Sequence, residues 1–89
     1  MLRLTVMSES CEEVVIKVEG WVSGEDVGLL EEECTRLLQQ SKRLVLELNG
    51  VQFIDREGIA LLECWSKEGV MFRGGSLFVR GLLEKHGLV

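Results

Sequence analysis

Few residues of this chain could do chemistry, and most of them stand apart from one another. The single histidine, His86, lies three residues from the last residue and has no partner motif, so we interpret it as a surface residue. Nucleophilic catalysis needs a base beside a serine or cysteine. Cys64 has no histidine near it in the sequence, so we expect it to pack in the core. Asp55 and Glu57 form a close pair of carboxylates, but a helix N-terminus explains both, because negative charge is favourable there. We therefore expect no catalytic residues and no enzyme activity.

The remaining motifs give no sign of a cofactor or a metal. Phosphate-binding glycine loops and histidine-based metal motifs are missing from the sequence. Gly74-Gly75 precedes a predicted strand, not a helix, and is interpreted as a plain turn. The cysteines are odd in number and widely spaced (Cys11, Cys34 and Cys64). We predict buried free thiols in a reducing compartment, and neither a disulfide framework nor a zinc site.

Length and composition limit the class of protein. The chain has 89 residues, of which 46% are apolar and 28% are charged, which predicts a single domain spanning residues 1–89. The net charge of −5 disfavours nucleic acid and anionic membranes as partners. A signal peptide and an apolar run of about 20 residues are both missing, so we expect a cytoplasmic protein without membrane insertion.

Apolar periodicity gives the expected elements. Strands are predicted at residues 2–6, 14–18, 44–48 and 77–79. Helices are predicted at 25–40, from residue 55 onward, and as a short tail over 81–89. Ser23 and Asp26 are spaced as a capping box at the start of the first helix. Asp55 is the expected N-cap of the second helix. Asn49-Gly50 is a turn signal, and the third strand reads as central and covered on both faces.

These elements define an α/β fold with a mixed four-stranded sheet and helices packed on it, in the order β-β-α-β-α-β-α. The short first connection predicts antiparallel pairing of the first two strands. Two strand–helix–strand units predict right-handed crossovers and parallel pairing of strands two, three and four.

Residues 43–62, RLVLELNGVQFIDREGIALL, resemble the centre of STAS domains, the family of anti-sigma factor antagonists. Gly20 and the segment Gly74-Gly75-Ser76-Leu77 match glycines elsewhere in that family, and the resemblance extends from about residue 14 to residue 79. It implies a regulatory module that binds a protein partner. In sigma-factor pathways that partner is an anti-sigma factor that is also a kinase, and the kinase phosphorylates a serine at the start of the second helix.

The sequence departs from the family pattern at that serine. Where the family has Asp-Ser-Ser-Gly, this chain has Asp55-Arg56-Glu57-Gly58, and Glu57 occupies the position of the phosphorylated serine. Glutamate is not a substrate for a serine kinase, and its charge is smaller than the roughly −1.5 to −2 of a phosphate. The loop is either fixed in a state that resembles the phosphorylated one, or contacts a different partner through Arg56 and Glu57. In a third interpretation both are solvated first-turn residues.

The resemblance leads us to predict that a partner contacts the loop of residues 53–58, in particular Asp55, Arg56, Glu57 and Gly58, together with Trp21. An exposed Trp21 beside this loop would form a binding hot spot; the alternative is that Trp21 packs on the first helix. A second function stays open, namely an accessory subunit of a phospholipid or anion transporter. The family commonly continues beyond the residues present here, so the domain is either minimal or part of a larger protein, and a homodimer stays open as well.

Overall fold

The computed structural model describes residues 2–40 and 42–88. Their elements follow in chain order as β1 (Leu2–Glu9), β2 (Glu13–Val22), α1 (Glu25–Leu38), β3 (Arg43–Ile54), α2 (Arg56–Lys67), β4 (Met71–Arg73) and α3 (Leu77–Lys85). The sheet has the strand order β1-β2-β3-β4, with β1 antiparallel to β2 and the other pairs parallel. The predicted fold class, element order and strand pairing are confirmed.

The helices lie on one face of the sheet. Right-handed crossovers between the sequential neighbours β2, β3 and β4 must place α1 and α2 on the same side. Buried residues of all three helices form one cluster with Ile16 and Leu46, whereas Val15 and Val45 on the other face are buried outside that cluster. Residues 44–48 are all buried, as expected for a central strand, but the helices cover only one of the two faces.

The last predicted strand is wrong. Residues 77–79 begin α3, and the fourth strand is instead the short edge segment Met71–Arg73. The reason is local: the Ser76 side chain caps the helix by accepting a hydrogen bond from the Val79 backbone N–H at 3.2 Å. Val79 and Leu83, one turn apart, are then both buried. Gly74-Gly75 therefore precedes a helix, and the end of the predicted tail, Val89, lies outside the described residues.

The predicted turn at Asn49-Gly50 is also wrong, because β3 continues through it. Pairing passes from Lys17–Glu47 to Glu19–Gly50, so β3 holds one extra residue and forms a β-bulge. A Cβ on Gly50 would lie 2.6 Å from the Glu19 Cγ, and the Asn49 Oδ1 accepts a hydrogen bond from the Gly75 N–H at 2.8 Å. Gly50 thus leaves room for Glu19 at the bulge, and Asn49 links β3 to the β4–α3 loop by its hydrogen bond.

The start of α1 differs from the predicted capping box. Its N-cap is Gly24, no side chain caps it, and the helix ends at Leu38, two residues earlier than predicted. Because β2 and β3 are parallel, their carboxyl ends meet at one edge of the sheet, where α1 and α2 begin.

Candidate functional site

We call the surface at these strand ends the carboxyl edge; it comprises Trp21, Phe53 and residues 55–58. The predicted site residues Trp21, Asp55, Arg56, Glu57 and Gly58 all lie at this end of the sheet, because Trp21 pairs with Phe53 and Asp55 follows directly after β3. Val22 and Ile54 are buried in the core, so Trp21 and Phe53 face away from the helices, whereas Arg56 and Glu57 belong to α2. Phe53, the first residue of the predicted contact loop, lies beside Trp21.

Asp55 links the β2–α1 loop to the start of α2 through hydrogen bonds. Its Oδ1 accepts a hydrogen bond from the Gly58 N–H at 2.8 Å, which caps α2 as predicted. Its Oδ2 accepts a second hydrogen bond, from the Gly24 N–H at 3.1 Å, at the start of α1. The Asp55 N–H itself donates to the Val22 carbonyl at 3.1 Å. The side chain is half-buried, and both of its oxygens are engaged by backbone donors.

Gly58 allows the first turn of α2 to approach the end of β2. A Cβ at this position would lie 2.7 Å from the Val22 carbonyl oxygen and 2.9 Å from the Ile54 Cγ2. Atoms do not approach so closely without rearrangement, so glycine is required by packing. Gly58 is buried and shapes the carboxyl edge through its backbone.

Arg56 and Glu57 present the charges of the carboxyl edge. Both are exposed in the first turn of α2. Within the described residues neither forms an ion pair or a side-chain hydrogen bond. Their charged groups are available to a ligand, while Glu57 also interacts favourably with the positive end of the α2 dipole.

Trp21 and Phe53 present the aromatic part of the carboxyl edge. The side chains are 51% and 39% exposed, and their ring centroids lie 5.6 Å apart at an interplanar angle of 54°. The Trp21 indole N–H donates to the Gln52 Oε1 at 3.2 Å. Trp21 therefore packs on β3. The sequence places Phe53 in the contact loop but does not reveal that it pairs with Trp21, because a second register shift after Gly20 decides which residue lies beside Trp21.

A shallow depression of about 280 Å³ adjoins Arg56 between α2 and α3. His86 lines it and places its Nδ1 3.6 Å from the Glu63 Oε1. The exposed position of His86 matches its interpretation as a surface residue. Across residues 2–40 and 42–88, no cluster of three or more potential ligands could hold a metal ion.

The three cysteines differ in environment, and the prediction that all are buried is wrong. Cys34 is fully buried in α1, and this burial raises the pKa of its thiol to about 12. Cys11 and Cys64 are exposed. Cys64 lies in an apolar stretch of α2, but only one side of a helix faces the core. That side includes its neighbour Trp65 and leaves Cys64 at the surface.

Comparison with known families decides the classification. The model of the STAS domain family matches residues 5–84. The chain belongs to the STAS domain family. This agrees with the resemblance of residues 43–62.

A solved structure supports the fold of this STAS domain. The anti-sigma factor antagonist SpoIIAA, determined in its unphosphorylated form, superposes with a TM-score of 0.77 at 19% sequence identity. The match covers 97% of this chain and 82% of that one. No curated protein matches the sequence. None of the helices in the described part of the STAS domain is long and apolar enough to cross a membrane.

Proposed function

We propose that this STAS domain is a non-catalytic regulatory module that binds a protein partner through the carboxyl edge. Its family and its likeness to an anti-sigma factor antagonist suggest an anti-sigma factor or a related kinase as that partner, in cytoplasmic control of transcription. The observation that carries the proposal is the double hydrogen bond of Asp55, which fixes the loops that present the exposed residues.

The composition of the carboxyl edge suits protein recognition. Tryptophan and arginine are the residue types most enriched among binding hot spots. Trp21 is already held by Phe53 and Gln52, and Arg56 extends from a capped helix turn. Because the Trp21 ring is already held and the backbone of Arg56 is fixed in the capped turn, binding would lose less entropy than it would at a flexible loop.

The fixed charge of Glu57 distinguishes this domain from a phosphorylation switch. Phosphorylation of a serine at that position would add about two negative charges, and dephosphorylation would remove them, whereas Glu57 has no hydroxyl group for a serine kinase to modify. We propose that partner binding at the carboxyl edge is therefore constitutive with respect to serine phosphorylation. Any regulation must act on the partner or at another surface.

A binding experiment tests the proposal. The tagged domain is used to capture its partner from the source cell, and the purified partner is titrated against wild type, Arg56→Glu, Trp21→Ala and Arg43→Glu. Arg43 is an exposed arginine at the opposite end of β3 and serves as the matched control. We expect Arg56→Glu and Trp21→Ala each to weaken binding about tenfold or more, and Arg43→Glu to bind like wild type. The melting temperatures of Arg56→Glu and Arg43→Glu should stay near that of wild type.

Two outcomes would contradict the proposal. Equal affinity of all four proteins would remove the carboxyl edge as the contact. Capture of a permease or transport ATPase would replace the signalling role with the transporter role.

In parallel, Glu57→Ser is incubated with a captured kinase and ATP; phosphorylation of this variant, and not of wild type, is the result expected if Glu57 replaces a switch residue.

A further inference from the structure

We propose that the domain has a second binding surface, between β1 and α1, where an extended and positively charged segment of a protein partner adds to the sheet. β1 is an outer strand and, in the described part of the chain, it pairs only with β2. Its other side therefore offers unpaired backbone N–H and C=O groups along an eight-residue strand. Such an edge is a template for another strand.

A groove lies directly beside this free edge on the helix side of the sheet. We call it the β1 groove; it encloses about 550 Å³, with a floor of Leu4, Val6 and Ile16 and a wall of Leu29, Glu32 and Glu33. Val6 is 53% exposed and Leu29 is 58% exposed. Because side chains alternate along a strand, an added strand would direct every second side chain onto these apolar groups.

The charge of the wall indicates the chemistry of the occupant. The charged residues that line the groove are Glu32, Glu33 and Arg36, all on α1. Arg36 is already paired with Glu33. Glu32 lines the β1 groove and, among residues 2–40 and 42–88, pairs with no cation. A strand that presents both apolar and Lys or Arg side chains on its helix-facing side, at every second position, would satisfy both the floor and the wall.

The same charges disfavour a second copy of the chain as the occupant. Antiparallel pairing of two β1 strands about a two-fold axis centred on Leu4 would place Leu2 opposite Val6 and keep both on the helix face. That arrangement would also bring a second α1 with the same acidic wall to the interface, in a protein of net charge −5. Like charges across an interface are unfavourable, so a basic foreign segment fits better than self-association.

The β1 groove is separate from the carboxyl edge. The residues that line it include none of Trp21, Phe53 or residues 55–58. The inference therefore does not depend on the proposed function.

A peptide titration followed by NMR tests the inference. The probe is the blocked heptapeptide Thr-Val-Thr-Lys-Thr-Val-Thr, which presents Val, Lys and Val on one face, added to the ¹⁵N-labelled chain, with Thr-Val-Thr-Glu-Thr-Val-Thr as the charge-reversed control. We expect amide shifts concentrated at residues 3–8 and 29–36 with the cationic peptide and none with the acidic one. A version N-methylated on alternate amides cannot form the strand ladder on one of its edges, and should bind more weakly if that edge faces β1.

Matched variants localise the effect. Leu29→Lys should weaken binding of the cationic peptide about tenfold, and Glu32→Gln about threefold. Glu31→Gln removes the same charge from the neighbouring residue, which does not line the β1 groove, and should change little. Shifts confined to other surfaces, equal effects of Glu31→Gln and Glu32→Gln, or a β1-mediated dimer seen by sedimentation without peptide would each overturn the proposal.

Discussion

Replacing Asp55 should cost more than the loss of an ordinary helix cap, because its carboxylate joins two loops. Asp55→Ala removes the 2.8 Å bond from the Gly58 N–H and the 3.1 Å bond from the Gly24 N–H. Asp55→Asn offers only one acceptor oxygen, so whichever way its amide is turned it can accept from only one of the two donors.

The magnitude follows from the two bonds. Loss of an N-cap costs about 1 kcal/mol, and up to about 2. The second bond, to the more exposed Gly24 N–H, adds about 0.5–1 kcal/mol. We expect Asp55→Ala to lower the free energy of unfolding by about 2 kcal/mol and Asp55→Asn by about 1 kcal/mol. This is a large part of the roughly 5–15 kcal/mol that stabilises a protein domain.

Urea denaturation measures this difference, with tryptophan fluorescence as the reporter; Trp65 is only 3% exposed in the folded state, so unfolding changes its surroundings more than those of Trp21, which is already 51% exposed. With a slope of about 1–2 kcal/mol per molar urea, a loss of 2 kcal/mol lowers the midpoint by about 1–2 M. Glu57→Gln is the matched control, since Glu57 is exposed and makes no side-chain hydrogen bond within the described residues. Its midpoint should shift by less than about 0.5 M.

Two results would refute the reasoning. The first is a loss below about 0.5 kcal/mol for Asp55→Ala, which would mean that the two bonds contribute nothing net. The second is equal destabilisation by Asp55→Ala and Asp55→Asn, which would mean that only one of the two bonds matters.

Three further predictions concern packing and titration. Gly58→Ala should lower the free energy of unfolding by about 2 kcal/mol or more, because the added Cβ would lie 2.7 Å from the Val22 carbonyl oxygen. In Gly28→Ala the added Cβ would have nothing within 4 Å, so this variant should raise the free energy of unfolding by about 0.5–1 kcal/mol. Urea titrations measure both changes. The exposed thiols of Cys11 and Cys64 should react quickly with Ellman's reagent in the folded protein, and the thiol of Cys34 only after unfolding. Because burial raises the pKa of Cys34 from 9.0 to about 12, its contribution to stability should be complete below pH 9.0 and fall as the pH approaches 12. Alkaline unfolding curves of Cys34→Ala should lack this component.

Much of the fold could be predicted because local signals agreed with the tertiary structure. The β-branched run at 14–18 and the apolar run at 44–48 both lie in buried strands, and Asp55 caps α2 as its position indicates. The pairing directions followed from connection lengths and crossover handedness alone.

The failures occurred where tertiary contacts decide between two uses of the same residues. Asn49-Gly50 suits a turn and a bulge equally, and only the pairing partner Glu19 and the tie to Gly75 select the bulge. Leu77-Phe78-Val79 reads as a strand, yet the Ser76 cap and burial of Val79 make it a helix. The β1 groove was not predicted because it arises from the exposure of Val6 and Leu29, which depends on how α1 lies across the sheet.

The partner-binding role of the carboxyl edge is tested most directly by NMR mapping of the captured partner on the ¹⁵N-labelled domain. Unlabelled partner is added, and the backbone amide resonances of residues 20–24 and 53–58 are followed together with the indole N–H resonance of Trp21. We expect these resonances to shift or broaden at substoichiometric partner, and the same perturbations to be lost in Arg56→Glu while Arg43→Glu retains them. Saturating partner that leaves the resonances of the carboxyl edge unchanged would contradict this assignment.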